Sequence, residues 1–180
     1  GPGLAAADLP GSVSEVTRRM WKEFDGAVVV DASALMWLPE GEFRKNAVRV
    51  ITPHPGEAAR MLDVSAAEVQ CDRFRAARAL SEKFGECHVV LKGHQTIVGR
   101  TSGSLFVNCS GSAGLAQGGS GDLLAGYIAG WLAQPVLCTA PEPLLRYAVF
   151  EHGAAADRLD AARGVWTVEE LAMELGVQHR

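Results

Sequence analysis

The residues with the clearest chemical potential form a glycine-rich loop, Gly118-Gly-Ser-Gly-Asp122, followed by an apolar run that predicts a helix over 120–133. Glycine lets a backbone turn tightly and brings its N–H groups close to a ligand. The first N–H groups of a helix lack internal partners, and the helix dipole adds positive partial charge there. The loop is therefore typical of an anion site, and phosphate is the usual occupant of such sites.

Asp122 lies in the first turn of this predicted helix. A carboxylate beside a bound anion is unfavourable unless it takes part in chemistry, so Asp122 is our first candidate for a catalytic base. Aspartate is also common in the first turn of any helix, where it stabilises the dipole. The spacing excludes a nucleophile elbow, because Asp122 stands where glycine is required. Leu124 replaces a glycine of the dinucleotide fingerprint, and no Gly-Lys-Ser/Thr follows to form a P-loop.

Continuous β-branched runs predict strands that are buried on both faces. These strands occupy 27–31, 48–52 and 87–91, and shorter strands at 96–98 and 105–107 form a hairpin through Gly103. Helical patterns fill the stretches between them. The alternation predicts one α/β domain over residues 1–180, a three-layer α/β/α sandwich with a mainly parallel sheet.

Three predicted helices begin with capping boxes, in which Ser or Thr is followed three residues later by Glu. The boxes are Ser12-x-x-Glu15, Ser65-x-x-Glu68 and Thr167-x-x-Glu170. After the first box, a helical stripe comprises Val13, Val16, Met20, Trp21 and Phe24. After the second, a further stripe comprises Phe74, Ala77, Leu80 and Phe84. Two more helices are predicted at 56–62 and 142–160.

Polar residues follow the predicted strands at the edge of a parallel sheet where ligands bind. Asp31 follows the first strand, Thr52-Pro-His-Pro55 the second and Lys92-Gly-His94 the third, and the 118–122 loop completes the set. We therefore expect these segments to meet at one edge of the sheet.

Each of these residues also has a plain structural interpretation. Asp31 could bind a metal-linked water or cap the next helix, and Lys92 could meet a phosphate or extend into solvent. His54 could be functional or a surface residue of its loop, and Thr96 could bind a nucleotide oxygen or favour the hairpin. His88 and His152 are predicted to be structural, while His94 stays undecided.

Composition narrows the class of protein. The 180 residues are 48% hydrophobic with a net charge of −4, which suits a substantial core and excludes a basic surface for nucleic acid. Four cysteines lie far apart without zinc spacing, and no signal peptide is recognisable, so we expect reduced thiols and a cytoplasmic location. The apolar span 123–141 is interrupted at Gln134-Pro135 and is too short to cross a membrane.

Three segments resemble the signature motifs of one family: Val50-Ile-Thr-Pro-His-Pro-Gly-Glu57, Val90-Leu-Lys-Gly-His-Gln-Thr96 and Gly118-Gly-Ser-Gly-Asp-Leu-Leu-Ala-Gly126. Gly1-Pro-Gly-Leu4, Val30-Asp-Ala-Ser-Ala-Leu35 and His152-Gly-Ala-Ala-Ala-Asp157 match other family segments in the same order. On these motifs the chain is identified as a member of the nucleotide-dependent NAD(P)H-hydrate dehydratases, which have a ribokinase-like fold. Full-length members carry a segment before the Gly-Pro-Gly-Leu turn, so we expect this chain to be truncated at its N-terminus.

The family resemblance implies a function and a set of roles. Members restore NADH or NADPH from the hydrated nicotinamide ring, with ADP in bacteria or ATP in eukaryotes, and with Mg²⁺. Asp122 would meet the ring hydroxyl, and Gly3 and His54 would line the substrate side. The nucleotide would be bound by Lys92, Gly93, His94, Gln95, Thr96 and Gly121, with Gly119, Ser120 and Gly121 as the anion hole. No side-chain metal ligand is implied.

Differences from the family pattern keep other functions open. Ser112-Ala-Gly-Leu115 replaces the family's Asn-Pro-Gly-Met, Ala5 replaces the last glycine of the opening turn, and Ser120 replaces threonine. The first alternative is a small-molecule kinase of the same fold. The second is a truncated, inactive remnant that survives as an oligomeric or a nucleotide-binding module, and an exposed sheet edge would favour its self-association. For the enzyme we expect a homo-oligomer that binds hydrated NAD(P)H and neither nucleic acid nor membrane.

Overall fold

The computed structural model describes residues 1–4, 9–134, 136 and 139–176, in which helices cover both faces of a sheet. The strands are β1 (Val28–Val30), β2 (Arg49–Ile51), β3 (His88–Leu91), β4 (Ile97–Gly99) and β5 (Phe106–Val107). The α-helices are α1 (Gly11–Glu23), α2 (Pro55–Leu62), α3 (Ala66–Cys71), α4 (Arg73–Lys83), α5 (Ser120–Leu132), α6 (Pro141–Arg163) and α7 (Val168–Glu174). Two 3₁₀ helices span Ala32–Trp37 and Ala113–Ala116.

The sheet is mixed, with the strands in sequence order from β1 to β5. β1, β2 and β3 are parallel, whereas β4 is antiparallel to both β3 and β5. The predicted mainly parallel sheet is therefore parallel in its first three strands only, because the hairpin adds two antiparallel strands. In the described residues β1 is an edge strand, and Val28 and Val29 pack against opposite cores but are only half-buried, so the predicted burial on both faces is partial there.

The predicted three-layer arrangement is confirmed by the alternation of side chains along the strands. Ile51 and Val89 pack into one core with residues of α1, α2, α3 and α4. Val50 and Val90, their chain neighbours, pack into a second core with α5 and α6. Successive side chains of a strand point to opposite faces of its sheet, so β2 and β3 are covered by helices on both sides.

Two of the three predicted capping boxes are confirmed. The Ser65 and Thr167 hydroxyls accept from the backbone N–H groups of Glu68 and Glu170. The box at Ser12 is wrong, because α1 begins at Gly11 after Pro10 and Ser12 already lies inside its first turn. The N-cap position, whose side chain can accept from N–H groups of the first turn, is occupied here by Pro10.

The predicted apolar stripes are buried only in part. Trp21 of α1 is fully buried, but Val16, Met20 and Phe24 are exposed, and no described element covers this face. In the second stripe Ala77, Leu80 and Phe84 are buried, whereas Phe74 in the first turn of α4 is half exposed. None of the helices in the described part of the chain has the length and hydropathy of a membrane span.

Arg49 of β2 is a buried cation that fastens α1 to the sheet. Its guanidinium donates to the carbonyl oxygens of Trp21 at 2.5 Å, Phe24 at 2.5 Å and Gly26 at 2.8 Å. These carbonyls belong to the last turn of α1 and the loop after it, where backbone acceptors lack helical partners. The rings of Trp21 and Phe43 lie 6.0 and 5.3 Å from the guanidinium carbon. Burial lowers the pKa of Arg49, and the Asp25 carboxylate opposes that shift.

Candidate active site

The carboxyl ends of β1, β2 and β3 lie at one edge of the sheet, and each is followed by a polar residue, namely Asp31, Thr52 and Lys92. The start of β4 and the end of β5 reach the same edge, because Ile97 pairs with both Leu91 and Val107. The predicted meeting of these segments at one edge is therefore confirmed.

Asp31 joins the ends of the three parallel strands. Its Oδ1 accepts from the Lys92 ammonium at 2.7 Å and from the Thr52 hydroxyl at 2.7 Å. Asp31 is 5% exposed, and the Lys92 side chain is 18% exposed. Asp31 precedes a 3₁₀ helix but its carboxylate makes no capping hydrogen bond. Neither sequence interpretation of Asp31 describes this arrangement, and Lys92 does not simply extend into solvent.

The glycine-rich loop leads into α5 as predicted, with Gly119 at the N-cap in the left-handed region at φ 90°. A Cβ at Gly121 would lie 2.9 Å from the Lys92 Nζ. The ammonium of Lys92 therefore lies directly against the first turn of α5. Both the cation and the helix N-terminus attract anions, so a phosphate at this point would interact with both.

His152 of α6 makes a hydrogen bond with the first residue of α5, Ser120. Its Nε2 lies 3.1 Å from the Ser120 carbonyl oxygen, which can only accept, so the proton is on Nε2. Burial lowers the pKa of His152 to about 4; the hydrogen bond to Ser120 opposes that shift, and the charge of Lys92 adds to it. His152 is consequently neutral at pH 7, and its predicted structural role is confirmed.

A cavity of about 610 Å³ opens beside this anion site. Its wall includes Lys92–Thr96, parts of the 108–116 segment, Ser120 and Leu124 of α5, and Val149, His152 and Gly153 of α6. The volume lies in the range of small-molecule pockets. The structure thus brings five predicted nucleotide-binding residues and Ser120 of the predicted anion hole into one cavity.

Arg73 of α4 holds the Lys92–Thr96 loop from outside the cavity. Its guanidinium donates to the carbonyl oxygens of His94 and, at 3.1 Å, of Leu91. The Thr96 hydroxyl donates to the Gly93 carbonyl at 3.2 Å. Gly93 adopts φ +136°, where a side chain would be strained. Sequence reasoning missed Arg73, because nothing in its own segment indicates a distant loop as its partner.

The opposite wall of the cavity depends on a close approach to α6. The Gly111 N–H donates to the Asp157 carboxylate at 2.8 Å, and the Ser110 hydroxyl donates to the Phe150 carbonyl at 2.7 Å. A Cβ at Gly153 would lie 2.6 Å from the Ser110 carbonyl carbon, so only glycine allows this contact. The family-like segment His152–Asp157 contains both Gly153 and Asp157, so the sequence did point to the residues that form this wall.

His54 lies outside the cavity and caps α2. Its Nδ1 accepts from the backbone N–H groups of Gly56 at 3.0 Å and Glu57 at 3.3 Å. The Glu57 carboxylate accepts in return from the backbone N–H of His54 at 2.8 Å, completing a capping box that sequence reasoning missed. The proton of His54 is therefore on Nε2, and half of the side chain is exposed. Capping by itself accounts for a histidine at this position.

Asp122 and Gly3 also lie outside the cavity. Asp122 is exposed in the first turn of α5, and its carboxylate has no hydrogen-bond partner among the described residues. Gly1 lies near enough to the Asp31 and Asp122 carboxylates to interact with them electrostatically. Gly3 itself lies in a turn at φ +80°.

These features define an α/β protein with an anion site at the carboxyl edge of its parallel strands. A family model described as NAD(P)H-hydrate dehydratase matches residues 1–176. The chain belongs to this family.

Relatives and solved structures agree with that assignment. The chain is 41% identical over 174 residues to the ADP-dependent (S)-NAD(P)H-hydrate dehydratase of Neisseria meningitidis serogroup B, covering 92% of this chain and 54% of that protein. The ADP/ATP-dependent NAD(P)H-hydrate dehydratase from Bacillus subtilis, co-crystallised with ATP/Mg²⁺, matches with a TM-score of 0.74 and 32% identity, covering 84% and 53%. A ribokinase-like superfamily protein from Enterococcus faecalis V583 matches with a TM-score of 0.75 and 26% identity, covering 93% and 57%. The fold is therefore ribokinase-like, and the chain spans about half the length of these proteins.

Proposed function

We propose that this chain catalyses the nucleotide-dependent dehydration of hydrated NADH and NADPH, with ADP as the preferred nucleotide. The observation that carries the proposal is the Lys92 ammonium lying against the first turn of α5 at the cavity of about 610 Å³. The similar Neisseria meningitidis protein is named as ADP-dependent, and the Bacillus subtilis neighbour was co-crystallised with ATP/Mg²⁺. We infer that the cavity takes the nucleotide and that its phosphates lie near Lys92.

The division of the site suggests how its residues share the reaction. Lys92 to Thr96 would bind the nucleotide, and the N–H groups of Gly119, Ser120 and Gly121 would stabilise charge on the transferred phosphoryl group. Asp122 lies one residue further along the same turn and would accept the proton of the ring hydroxyl. Gly3 and His54 lie outside the cavity and would line a neighbouring site for the nicotinamide substrate. Phosphorylation makes the hydroxyl a good leaving group, and loss of phosphate and a proton restores the ring double bond.

Mg²⁺ would neutralise the phosphate charge of the nucleotide. Within the described residues no group of three His, Cys, Asp or Glu side chains could hold a metal ion. Phosphate oxygens of the nucleotide would be ligands of this cation.

The decisive test is a repair assay. Purified protein with hydrated NADH, ADP and Mg²⁺ should restore the absorbance of the dihydronicotinamide ring, and omission of ADP should prevent it. No recovery from protein that binds ADP would contradict dehydration. A panel of small alcohols with ATP would then test the kinase alternative, and protein that neither binds nucleotide nor repairs the substrate would favour the inactive remnant.

The proposal includes a homo-oligomer in the cytoplasm. The described cysteines Cys71, Cys87 and Cys109 are free thiols, as expected in a reducing compartment, and Cys138 lies outside the described residues.

The exposed side chains Val16, Met20 and Phe24 of α1 offer an apolar surface for a second copy. Sedimentation velocity should show a dimer or larger species that Val16→Glu weakens, whereas Val165→Glu, at a residue 85% exposed, should not. A wild-type monomer at all concentrations would contradict this expectation.

A further inference from the structure

We propose that Asp31 is a positioning residue that holds the Lys92 ammonium at the phosphate site before the nucleotide arrives. The inference rests on the proposed function only in taking the anion of this site to be a nucleotide phosphate. Asp31 acts through Lys92, because its carboxylate is buried and accepts hydrogen bonds from the Lys92 ammonium and the Thr52 hydroxyl.

The need for such a residue follows from electrostatics. A Cβ added to Gly121 would lie 2.9 Å from the Lys92 Nζ. The ammonium therefore faces the N-terminal turn of α5. That turn carries positive partial charge, which repels a cation when no anion is present. The Asp31 carboxylate, 2.7 Å from the Nζ, offsets this repulsion and the cost of partly burying the ammonium.

The sheet itself holds the Asp31 carboxylate in place. Val30 of β1 pairs with Ile51 of β2, and the Thr52 N–H donates to the Val30 carbonyl at 3.2 Å. Asp31 and Thr52 are therefore side by side, and the Thr52 hydroxyl donates to the same oxygen that accepts from Lys92. A lysine has several freely rotating bonds, and holding its end in one position lowers the entropy cost of binding a phosphate.

The first experiment measures Lys92 without any nucleotide. Asp31→Asn keeps the shape of the side chain but removes its charge. Acetylation of the ligand-free protein with an activated ester, followed by mass spectrometry, gives the rate at Lys92 relative to the exposed Lys45. We expect this ratio to rise about tenfold in Asp31→Asn, because the ammonium is released from the ion pair. Asp25→Asn is the matched control, since Asp25 pairs with Arg44 at the surface.

The second experiment compares ligands with and without phosphate by titration calorimetry. Asp31→Asn should weaken ADP about tenfold (roughly 1.4 kcal/mol) while leaving adenosine within about twofold. A general loss of structure would weaken both ligands alike. In a Lys92→Met background, Asp31→Asn should change ADP affinity by less than about twofold, because the two residues act as one unit.

Each outcome decides the inference. An unchanged acetylation ratio, equal weakening of ADP and adenosine, or full additivity with Lys92→Met would overturn it, as would wild-type protein that does not bind ADP. If Asp31→Asn does not fold, Thr52→Val removes one hydrogen bond from the same carboxylate and must still raise the Lys92 ratio about twofold, a smaller effect because the ion pair remains. Wild-type protein that binds ADP but repairs no substrate would contradict the proposed function and leave the role of Asp31 intact.

Discussion

At the scale of single residues, the site is organised around one cation rather than one loop. A Cβ at position 121 would lie 2.9 Å from the Lys92 Nζ, so a side chain there would require the ammonium to shift. Asp122, the next residue, is exposed and makes no hydrogen bond within the described residues. Two neighbouring positions thus have separate physical roles, and separate substitutions test them.

Asp122→Asn should abolish turnover while ADP affinity stays within about threefold, because the change removes a base and no phosphate contact. Steady-state repair kinetics and calorimetry on the same preparation measure the two effects. The exposed position makes a loss of fold unexpected, and thermal melting serves as the control. If ADP binding were lost in a folded variant, Asp122 would have a phosphate or metal role instead.

Gly121→Ala should weaken ADP about tenfold, because the new methyl group displaces the Lys92 ammonium from the first turn of α5. The matched control is Gly126→Ala in the same helix, where a Cβ meets nothing within 4 Å. That control should leave ADP affinity unchanged and raise stability by about 0.5–1 kcal/mol. Equal ADP affinities in the two variants, measured by calorimetry, would show that the Lys92 position does not matter for binding.

At the scale of elements, the buried Arg49 replaces the glycine or polar cap that ends many helices. The last turn of α1 and its following loop place their carbonyl oxygens around one guanidinium. These hydrogen bonds hold the C-terminal end of α1 against β2. The arrangement also leaves one buried and several part-buried carbonyl groups dependent on a single side chain.

Arg49→Met should destabilise the protein by about 3 kcal/mol, since one buried and several part-buried carbonyl groups would lose their donors. Arg49→Lys should recover little of this loss, because an ammonium lacks the planar fork that reaches several acceptors. Denaturant unfolding measures both variants, with Arg18→Met on the exposed side of α1 as the control. A change below about 1 kcal/mol in Arg49→Met would contradict the structural role.

At the scale of the whole molecule, two buried histidines make stability depend on pH. His88 and His152 are 7% and 5% exposed, and each has a pKa lowered to about 4. Burial is the main cause for both; the Arg100 charge also lowers the pKa of His88, against a raising effect of Glu142. Each ring is neutral in the folded protein but binds a proton more readily once unfolded.

Stability should therefore fall as the pH decreases from about 6.5 to about 4, since the unfolded state binds more protons in this window. Each histidine accounts for a loss of about 3 kcal/mol across it. Denaturant unfolding at a series of pH values should show the decline, and His88→Gln or His152→Gln should each make it shallower. A variant with an unchanged slope would show that its histidine is not the source.

Much of the architecture was predictable because local patterns agree with the final fold. The alternating strands and helices gave the three layers, and the polar residues after the strands gave the edge at which Asp31, Thr52 and Lys92 meet. The errors arose where burial depends on distant elements. Sequence periodicity cannot show that β1 is an edge strand or that Val16 and Phe74 are exposed.

By itself the sequence determined the glycine-rich entry to α5, the residue types at the carboxyl edge and, through its motifs, the family. Only the tertiary structure decided that Asp31 binds Lys92, that Arg73 holds the Lys92–Thr96 loop and that His54 caps α2. It also decided that Asp122 lies outside the cavity that Lys92 lines. The physical reason is that turn geometry and strand pattern are local, whereas the partner of a charged side chain is set by residues far apart in the chain.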